Sequence, residues 1–421
     1  MKPSGALGLL RWLAGASVLL CLLAFAMPVF AAARVGIVTM QPGEIFWERF
    51  GHNAIVVVDP TSGEAISYNF GFFDLDEPDF VTRFVRGDMR YRLVALPFEQ
   101  DMLLYRDEGR GVSIQWLDLD DDDAQQLAAA LAENARPENA HYRYDYFLDN
   151  CSTRVRDALD RALEGRLRPQ MDSRSRGNTY RSEALRLASP DPLLWLGFDL
   201  GLGPAADRPM SLWGEAFVPM RLADALRDAK RSDGRPLVID EQPVLPHRLA
   251  PEPQAAPVRW TRWALAGVVI GVGFAWLGRR RPRVLAAIAL PLWTLAGLVG
   301  ALLLFIWLGT EHRFGWANHN LLLFSPLAWL LLPGAWRVLR GRPGGRLFEL
   351  ILAALLAFAL VAMFLHWLPV LPQRNTHWIA LLLPIHAGLW LGLSRYVASA
   401  WHHGPADDGL PLIRQRGRMR P

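Results

Sequence analysis

Among the residues of this chain whose types do chemistry near neutral pH, the cysteine Cys151 and the histidine His52 stand out by their sequence surroundings. Cys151 follows Asn150 at the head of a segment in which Val155, Ala158, Leu159, Ala162 and Leu163 recur at helical spacing. Extending that stripe back by one turn places Cys151 in the first turn of a helix with Asn150 as its N-cap. Unpaired amides and the helix dipole stabilise a thiolate there. A thiolate so placed is a nucleophile, and its own amide can serve an oxyanion hole. The competing reading is a small buried hydrophobe, which most free cysteines are. Against it, the thiol opens a helix, stays single in a compartment that tends to pair cysteines, and has a candidate base.

The candidate base is His52, in Phe50-Gly51-His52-Asn53, where a glycine precedes the first residue of a β-rich run. A histidine on a strand facing a helix-start cysteine is papain-like geometry with the chain order reversed. His141 competes as base, but Asn139-Ala140-His141-Tyr142 reads as an exposed loop. The imidazole also needs an orienting partner, and a hairpin supplies Tyr68 and Asn69 opposite it. A one-residue slip of register exchanges the two. Asn69 is favoured, because a side-chain amide can accept the imidazole N–H.

The elements that must hold these groups can be read from the pattern. Asn53 to Val58 and Ala65 to Phe70, joined through Asp59-Pro60-Thr61-Ser62-Gly63, form a hairpin. Tyr91 to Leu96 and Val112 to Leu117 read as further strands. Asp120 to Asp123 cap a helix reaching about Glu133. This aspartate run lacks the glycine and distal glutamate of a calcium loop, so no metal is expected. Residues 235 to 257 are proline-rich and read as a tether.

The chain has 421 residues, 52% of them hydrophobic, 20% charged, and 17 Trp. The apolar residues concentrate after residue 260 in runs long enough to cross a bilayer. Spans are expected at 261 to 278, 284 to 309, 320 to 337, 347 to 370 and 377 to 396. Arg279, Arg280, Arg281, Arg283, Arg337, Arg340, Arg342, Arg346, Arg395 and the tail arginines lie on one side, against Arg259, Arg262, Arg313 and Arg374 on the other. The arginine-rich side is cytoplasmic. Residues 1 to 33, with Lys2, Arg11, an apolar stretch and Ala31-Ala32-Ala33, read as a secretory signal. An uncleaved signal anchor is the alternative. The expected division is a signal peptide (1 to 33), a periplasmic domain (34 to 258), a five-helix membrane domain (259 to 398) and a basic cytoplasmic tail (399 to 421). The protein is then a multi-pass membrane protein whose large domain lies outside the cytoplasm. Cys21 leaves with the signal, so no disulfide forms within the mature chain. The formal charge of +4 is almost wholly arginine, with Lys2 and Lys230 the lysines. No basic patch interleaved with aromatics emerges, so nucleic acid is not an expected partner. No glycine loop cradles a phosphate, and no cofactor is expected.

Phe50-Gly51-His52-Asn53-Ala54-Ile55, Tyr68-Asn69-Phe70-Gly71-Phe72-Phe73 and Tyr146-Phe147-Leu148-Asp149-Asn150-Cys151-Ser152-Thr153-Arg154 resemble the Lnb N-terminal periplasmic domain family. Thr310-Glu311-His312, Asn318-His319-Asn320-Leu321-Leu322 and Pro326 resemble the family's following loop and span. The resemblance implies an α+β periplasmic domain, similar to permuted papain or NlpC/P60 thiol enzymes, followed by an all-α bundle of five transmembrane helices. It also implies a cysteine-dependent acyltransferase resident in a bacterial inner membrane. Cys151 takes an acyl group from a phospholipid with His52 as base and Asn69 as orienter, and passes it to an amine, the N-terminal cysteine of a lipoprotein. Asn150, Tyr68, His312 and Asn320 become candidate substrate contacts. The extra hairpin histidine of the permuted relatives is not evident here.

Among the outer-loop residues, Trp316 reads as an interfacial anchor, and Arg374, Asn375 and His377 as headgroup contacts. The His312 to His319 spacing fits no zinc pattern. His366 and His386 fall within spans, where polar side chains usually face the bundle interior. Two other functions stay open on sequence alone. One is a cysteine amidase or endopeptidase acting on peptidoglycan, for which five spans are more than an anchor requires. The other is a non-catalytic membrane scaffold.

Overall fold

The computed structural model describes residues 33–255, 258–368 and 372–398. The expected signal segment, apart from its last residue, and the basic tail after residue 398 lie outside them. Seven strands make one antiparallel sheet: β1 (Arg34–Met40), β2 (His52–Val58), β3 (Ala65–Phe72), β4 (Arg90–Pro97), β5 (Val112–Leu117), β6 (His141–Arg143) and β7 (Val238–Leu245). Their order is β6-β4-β3-β2-β1-β5-β7. Helices α1 (Phe80–Arg86), α2 (Phe98–Glu108), α3 (Asp121–Asn134) and α4 (Cys151–Ala162) are interspersed. After them come α5 (Leu167–Asp172), α6 (Tyr180–Ala188), α7 (Pro192–Gly201), α8 (Leu212–Glu215) and α9 (Pro219–Arg227).

The sheet is covered on both faces, which explains why β1 and β2 read as nearly continuous apolar runs. With a side-chain period of two, Ile37, Ile55, Tyr68, Phe70 and Leu93 point to the face covered by Val155 and Leu159 of α4. Val38, Met40, Ala54 and Val56 point to the other, against Met102 and Tyr105 of α2. The hairpin pairs Ala54 with Asn69 and Ile55 with Tyr68. Between Asn69 and Phe72 the pairing of β3 with β4 slips through an irregularity. Gly71, with φ 92°, sits in it.

The sequence reading needs two corrections here. The proline-rich stretch from 235 is not all tether, because Val238–Leu245 pairs with β5 as an edge strand. Its Pro243 is tolerated at an edge, where one ladder face needs no donor. His141 lies on the opposite edge strand, not in a loop.

The membrane part comprises α10 (Trp260–Arg280), α11 (Pro282–Gly309), the segment Arg313–Leu339, α13 (Arg346–His366) and α14 (Thr376–Ala398). The third span is not one α-helix. Three 3-10 turns, Arg313–Gly315, His319–Leu322 and Pro326–Leu331, lead into α12 (Leu332–Leu339). Pro326 and Pro333 interrupt the ladder, and the side chains of Asn318 and Ser325 bond to nearby amides instead.

The sheet domain is docked on the bundle rather than loosely tethered. Asn318 Nδ2 donates to Leu200 O at 2.7 Å, and Asn320 Nδ2 to the same carbonyl at 3.1 Å. Asn375 Nδ2 donates to Asn320 Oδ1 at 2.9 Å, and the Arg374 amide to Asp207 Oδ2 at 3.0 Å. Asp199 of α7 accepts from both His377 Nε2 and Trp378 Nε1 at 2.7 Å. Lifting the domain would break the bonds that cross to Leu200, Asp207 and Asp199 together, so the tether does not act as a free hinge.

Candidate active site

His52 opens β2 directly after Gly51, whose φ is 77°. A Cβ at Gly51 would lie 2.8 Å from the Met40 carbonyl, so the tight entry that aims His52 needs glycine. Asn53, on the opposite face from His52, is fully buried. Its Nδ2 donates to Val38 O and Thr39 Oγ1, and its Oδ1 accepts from Ser152 Oγ at 2.8 Å. One buried amide thus ties the first turn of β2 to the first turn of α4.

Asn150 caps α4 in a reciprocal box: its Oδ1 accepts from the Thr153 amide at 2.9 Å, and its own amide donates to Thr153 Oγ1 at 2.8 Å. Its Nδ2 donates to the carbonyls of Tyr146 and Phe217. The helix therefore begins at Cys151, whose thiol is buried.

At this junction the Cys151 thiol and the His52 imidazole are close enough that each shifts the other's proton affinity. His52 Nε2 donates to Asn69 Oδ1 at 3.0 Å. Asn69 Nδ2 in turn donates to Asp101 Oδ2 at 2.9 Å, and Ser67 Oγ to the same oxygen at 2.6 Å. An ionised carboxylate only accepts, so Asp101 fixes the Asn69 amide with its oxygen toward His52. That oxygen requires a proton on Nε2, which leaves Nδ1 as the nitrogen free to exchange a proton.

Burial alone would raise the Cys151 pKa. The His52 charge and hydrogen bond, with the Asn53 and Ser152 amides aimed at sulfur, outweigh it and hold the thiol below its ordinary value. Burial likewise disfavours the imidazolium, but Cys151 and then Asp101 outweigh it, and the His52 pKa is raised. The two shifts describe one thiolate–imidazolium pair.

A third side chain approaches the thiol from the β6 side. A Cβ built on Gly71 would lie 3.6 Å from Cys151 Cβ, 3.6 Å from the Tyr144 ring and 3.8 Å from Tyr142 Oη. The missing methyl leaves a small space walled by Cys151 and two tyrosines. Tyr142 Oη is buried and has no hydrogen-bond partner among the described residues. The Arg154 guanidinium sits 4.0 Å over its ring. Burial, and then the Cys151 charge, keep this phenol well above its ordinary pKa, so it stays a donor.

Next to Tyr144 a cavity of about 220 Å³ opens between the loop leading into α4 and the membrane loop after α11. Asp145, Asp149, Glu311 and Arg313 are among its lining residues. His312 also borders it, but both ring nitrogens are engaged: Nδ1 with the Tyr146 hydroxyl and Nε2 with the Phe84 and Val85 carbonyls. Burial depresses its pKa, opposed by those two carbonyls.

Cys151, His52 and Asn69 are therefore brought together, with Asn150 adjacent as the cap. Tyr68 is not beside His52: the register turns it to the α4 face, within the core. Asn320 is fully buried in the junction with α7, away from the thiol. Arg374, Asn375 and His377 are likewise spent on that junction. Asp101, Tyr142 and Tyr144 were not singled out from sequence. For Asp101 the only available signal was a carboxylate beside Met102 and one turn before Tyr105, on what proves to be a buried stripe. Among the described residues, no three His, Cys, Asp or Glu side chains are arranged to hold a metal.

The Lnb N-terminal periplasmic domain matches residues 29–184, and the Lnb transmembrane domain matches residues 257–394. No curated protein and no solved structure matches the chain. With five helical segments long and apolar enough to cross a bilayer, this is a multi-pass membrane protein with a periplasmic segment.

Proposed function

This chain belongs to the Lnb family, and from that premise we propose that it is a thiol acyltransferase that moves a fatty acyl group from a phospholipid, through a Cys151 thioester, to the amino-terminal cysteine of a lipoprotein. The observation that carries this reading is the chain of side chains Cys151, His52, Asn69 and Asp101. It ends at a helix-start thiol in a domain docked on the outer face of the spans. The histidine-before-cysteine order matches a permuted papain-like arrangement.

In the first half-reaction the Cys151 thiolate attacks the ester carbonyl, and the carbonyl electron pair moves to oxygen. Tyr142 Oη and the Cys151 amide at the helix start are the donors for that oxyanion. Collapse breaks the bond to the glycerol oxygen, which takes the proton from His52 Nδ1. In the second half the lipoprotein amine attacks the thioester, His52 accepts an amine proton, and the thiolate leaves with the amide formed. Asn69 and Asp101 hold the imidazole in plane through both halves.

Membrane attachment suits this chemistry, because drawing a lipid chain into water costs about 0.8 kcal/mol per CH₂. Purified protein in phospholipid nanodiscs, given a synthetic diacylated lipopeptide, should form the N-acylated product. Cys151→Ser and His52→Ala should each abolish transfer while leaving insertion and melting intact. Normal turnover by either variant contradicts the assignment.

A further inference from the structure

Part of the exposed apolar surface of the sheet domain is gathered in one place. Val81 and Val85 lie one turn apart on α1 and are 70% and 44% exposed, and Phe46 and Trp47 on the segment before β2 are half exposed. Exposed apolar area of this kind marks a contact surface. The two segments are linked, since Trp47 packs edge-on against Phe73 at 6.0 Å and Phe73 stacks on Phe80 of α1 at 5.7 Å.

The position of α1 identifies what covers this surface. The Glu311 amide donates to Arg86 O at 2.8 Å, and His312 Nε2 bonds the Phe84 and Val85 carbonyls at 3.1 and 3.2 Å. Those partners lie just beyond Gly309, the end of α11, and Leu308 there is 73% exposed on the lipid-facing side of the bundle. The helix is thus bolted at the level where the second span leaves the membrane. Arg83 is paired with Glu77 at 2.7 Å, whereas the exposed Arg86 has the reach to keep its charge at the headgroups while the valines face the chains.

From this rim a run of aromatic rings leads inward. Phe73 stacks on Tyr91 at 5.0 Å, and Tyr91 lies 4.4 Å from Tyr144. Tyr144 borders the space that Gly71 leaves beside Cys151. We propose that α1 and the Phe46–Trp47 segment lie in the outer leaflet of the bilayer, and that the rings from Phe80 through Phe73 and Tyr91 to Tyr144 guide a lipid acyl chain from there to the thiol. The leaflet placement stands on the docking of α1, whereas the guiding role rests on the acyl-transfer reading.

Both parts are tested on the full chain in phosphatidylethanolamine–phosphatidylglycerol nanodiscs. A nitroxide on Val81→Cys, in a Cys21→Ser and Cys151→Ser background, should collide more with oxygen than with a water-soluble nickel complex. The same label on Ser62→Cys, at the far hairpin, should show the reverse. Water-like behaviour at both positions overturns the leaflet placement. In the second arm, Val81→Glu with Val85→Glu should lower the ratio of Cys151 acylation by a long-chain phospholipid to that by a short-chain soluble ester about tenfold or more. An unchanged ratio overturns the guiding role. If the wild type is acylated by neither ester, the acyl-transfer reading falls and the guiding role with it, while the depth measurement still decides where α1 lies.

Discussion

Replacing Tyr142 with phenylalanine should move stability and rate in opposite directions. Its hydroxyl is buried and unpartnered among the described residues, a condition that costs about 1–3 kcal/mol. Tyr142→Phe removes that polar atom and keeps the ring under the Arg154 guanidinium, 4.0 Å away. The fold should gain up to that amount, a rise in melting midpoint of about 2–4 °C per kcal/mol for a domain of this size. If the hydroxyl meets the oxyanion, its loss raises the barrier by about 2.7–4 kcal/mol, or about 10²–10³ in rate. Burst acylation by a p-nitrophenyl ester measures that step directly. Alkylation by iodoacetamide uses the same thiolate but passes through no oxyanion, so its rate should hold. An acylation rate equal to wild type, or a loss shared equally by alkylation, refutes the role given to Tyr142.

Three further outcomes follow from the same geometry. The Cys151 pKa is lowered and the His52 pKa raised, so the thiolate persists as pH falls below the ordinary thiol value of about 8.5. The inflection of alkylation rate against pH should lie below that value in wild type and move upward in His52→Ala, where burial loses its main opponent. Asp101→Asn should lower turnover about ten- to hundredfold, the worth of a charge-assisted hydrogen bond of about 1.5–3 kcal/mol. It should also shift the alkylation inflection upward, because Asp101 supports the imidazolium; a purely structural residue would leave that inflection in place. Asp199→Ala strips the acceptor from His377 and Trp378. Breaking a buried charged contact costs about 3–5 kcal/mol, so limited proteolysis between 246 and 255 should speed up in nanodiscs, and wild-type resistance would remove Asp199 from the docking account.

Much of the site was legible because its parts are local. The stripe from Val155 to Leu163 places Cys151 at a helix start, and the continuous apolar run to Val58 places His52 at a strand start. The choice between Tyr68 and Asn69 depended on register. Pairing Ala54 with Asn69 resolves it, and no single strand carries that information. Asp101 escaped notice because a carboxylate in a helix beside Glu99 and Asp107 looks solvated until the sheet beneath supplies Ser67 and Asn69. Tyr142 lies on a strand of three residues, too short to show a period. Asn320 and Asn375 read as substrate and headgroup contacts because their partners, the Leu200 carbonyl and each other, are more than fifty residues away. Hydropathy marked the third span but could not show that Pro326 and Pro333 break it into turns.

The central claim is that Cys151 carries an acyl group in turnover. Mass spectrometry of the full-length protein isolated from native membranes, with and without hydroxylamine, addresses it directly on the peptide containing Cys151. The account predicts a fatty-acyl mass there that hydroxylamine removes, that accumulates when the lipopeptide acceptor is withheld, and that discharges when the acceptor is restored. An unmodified Cys151 under acceptor starvation, together with a thiol that iodoacetamide cannot label, would contradict it.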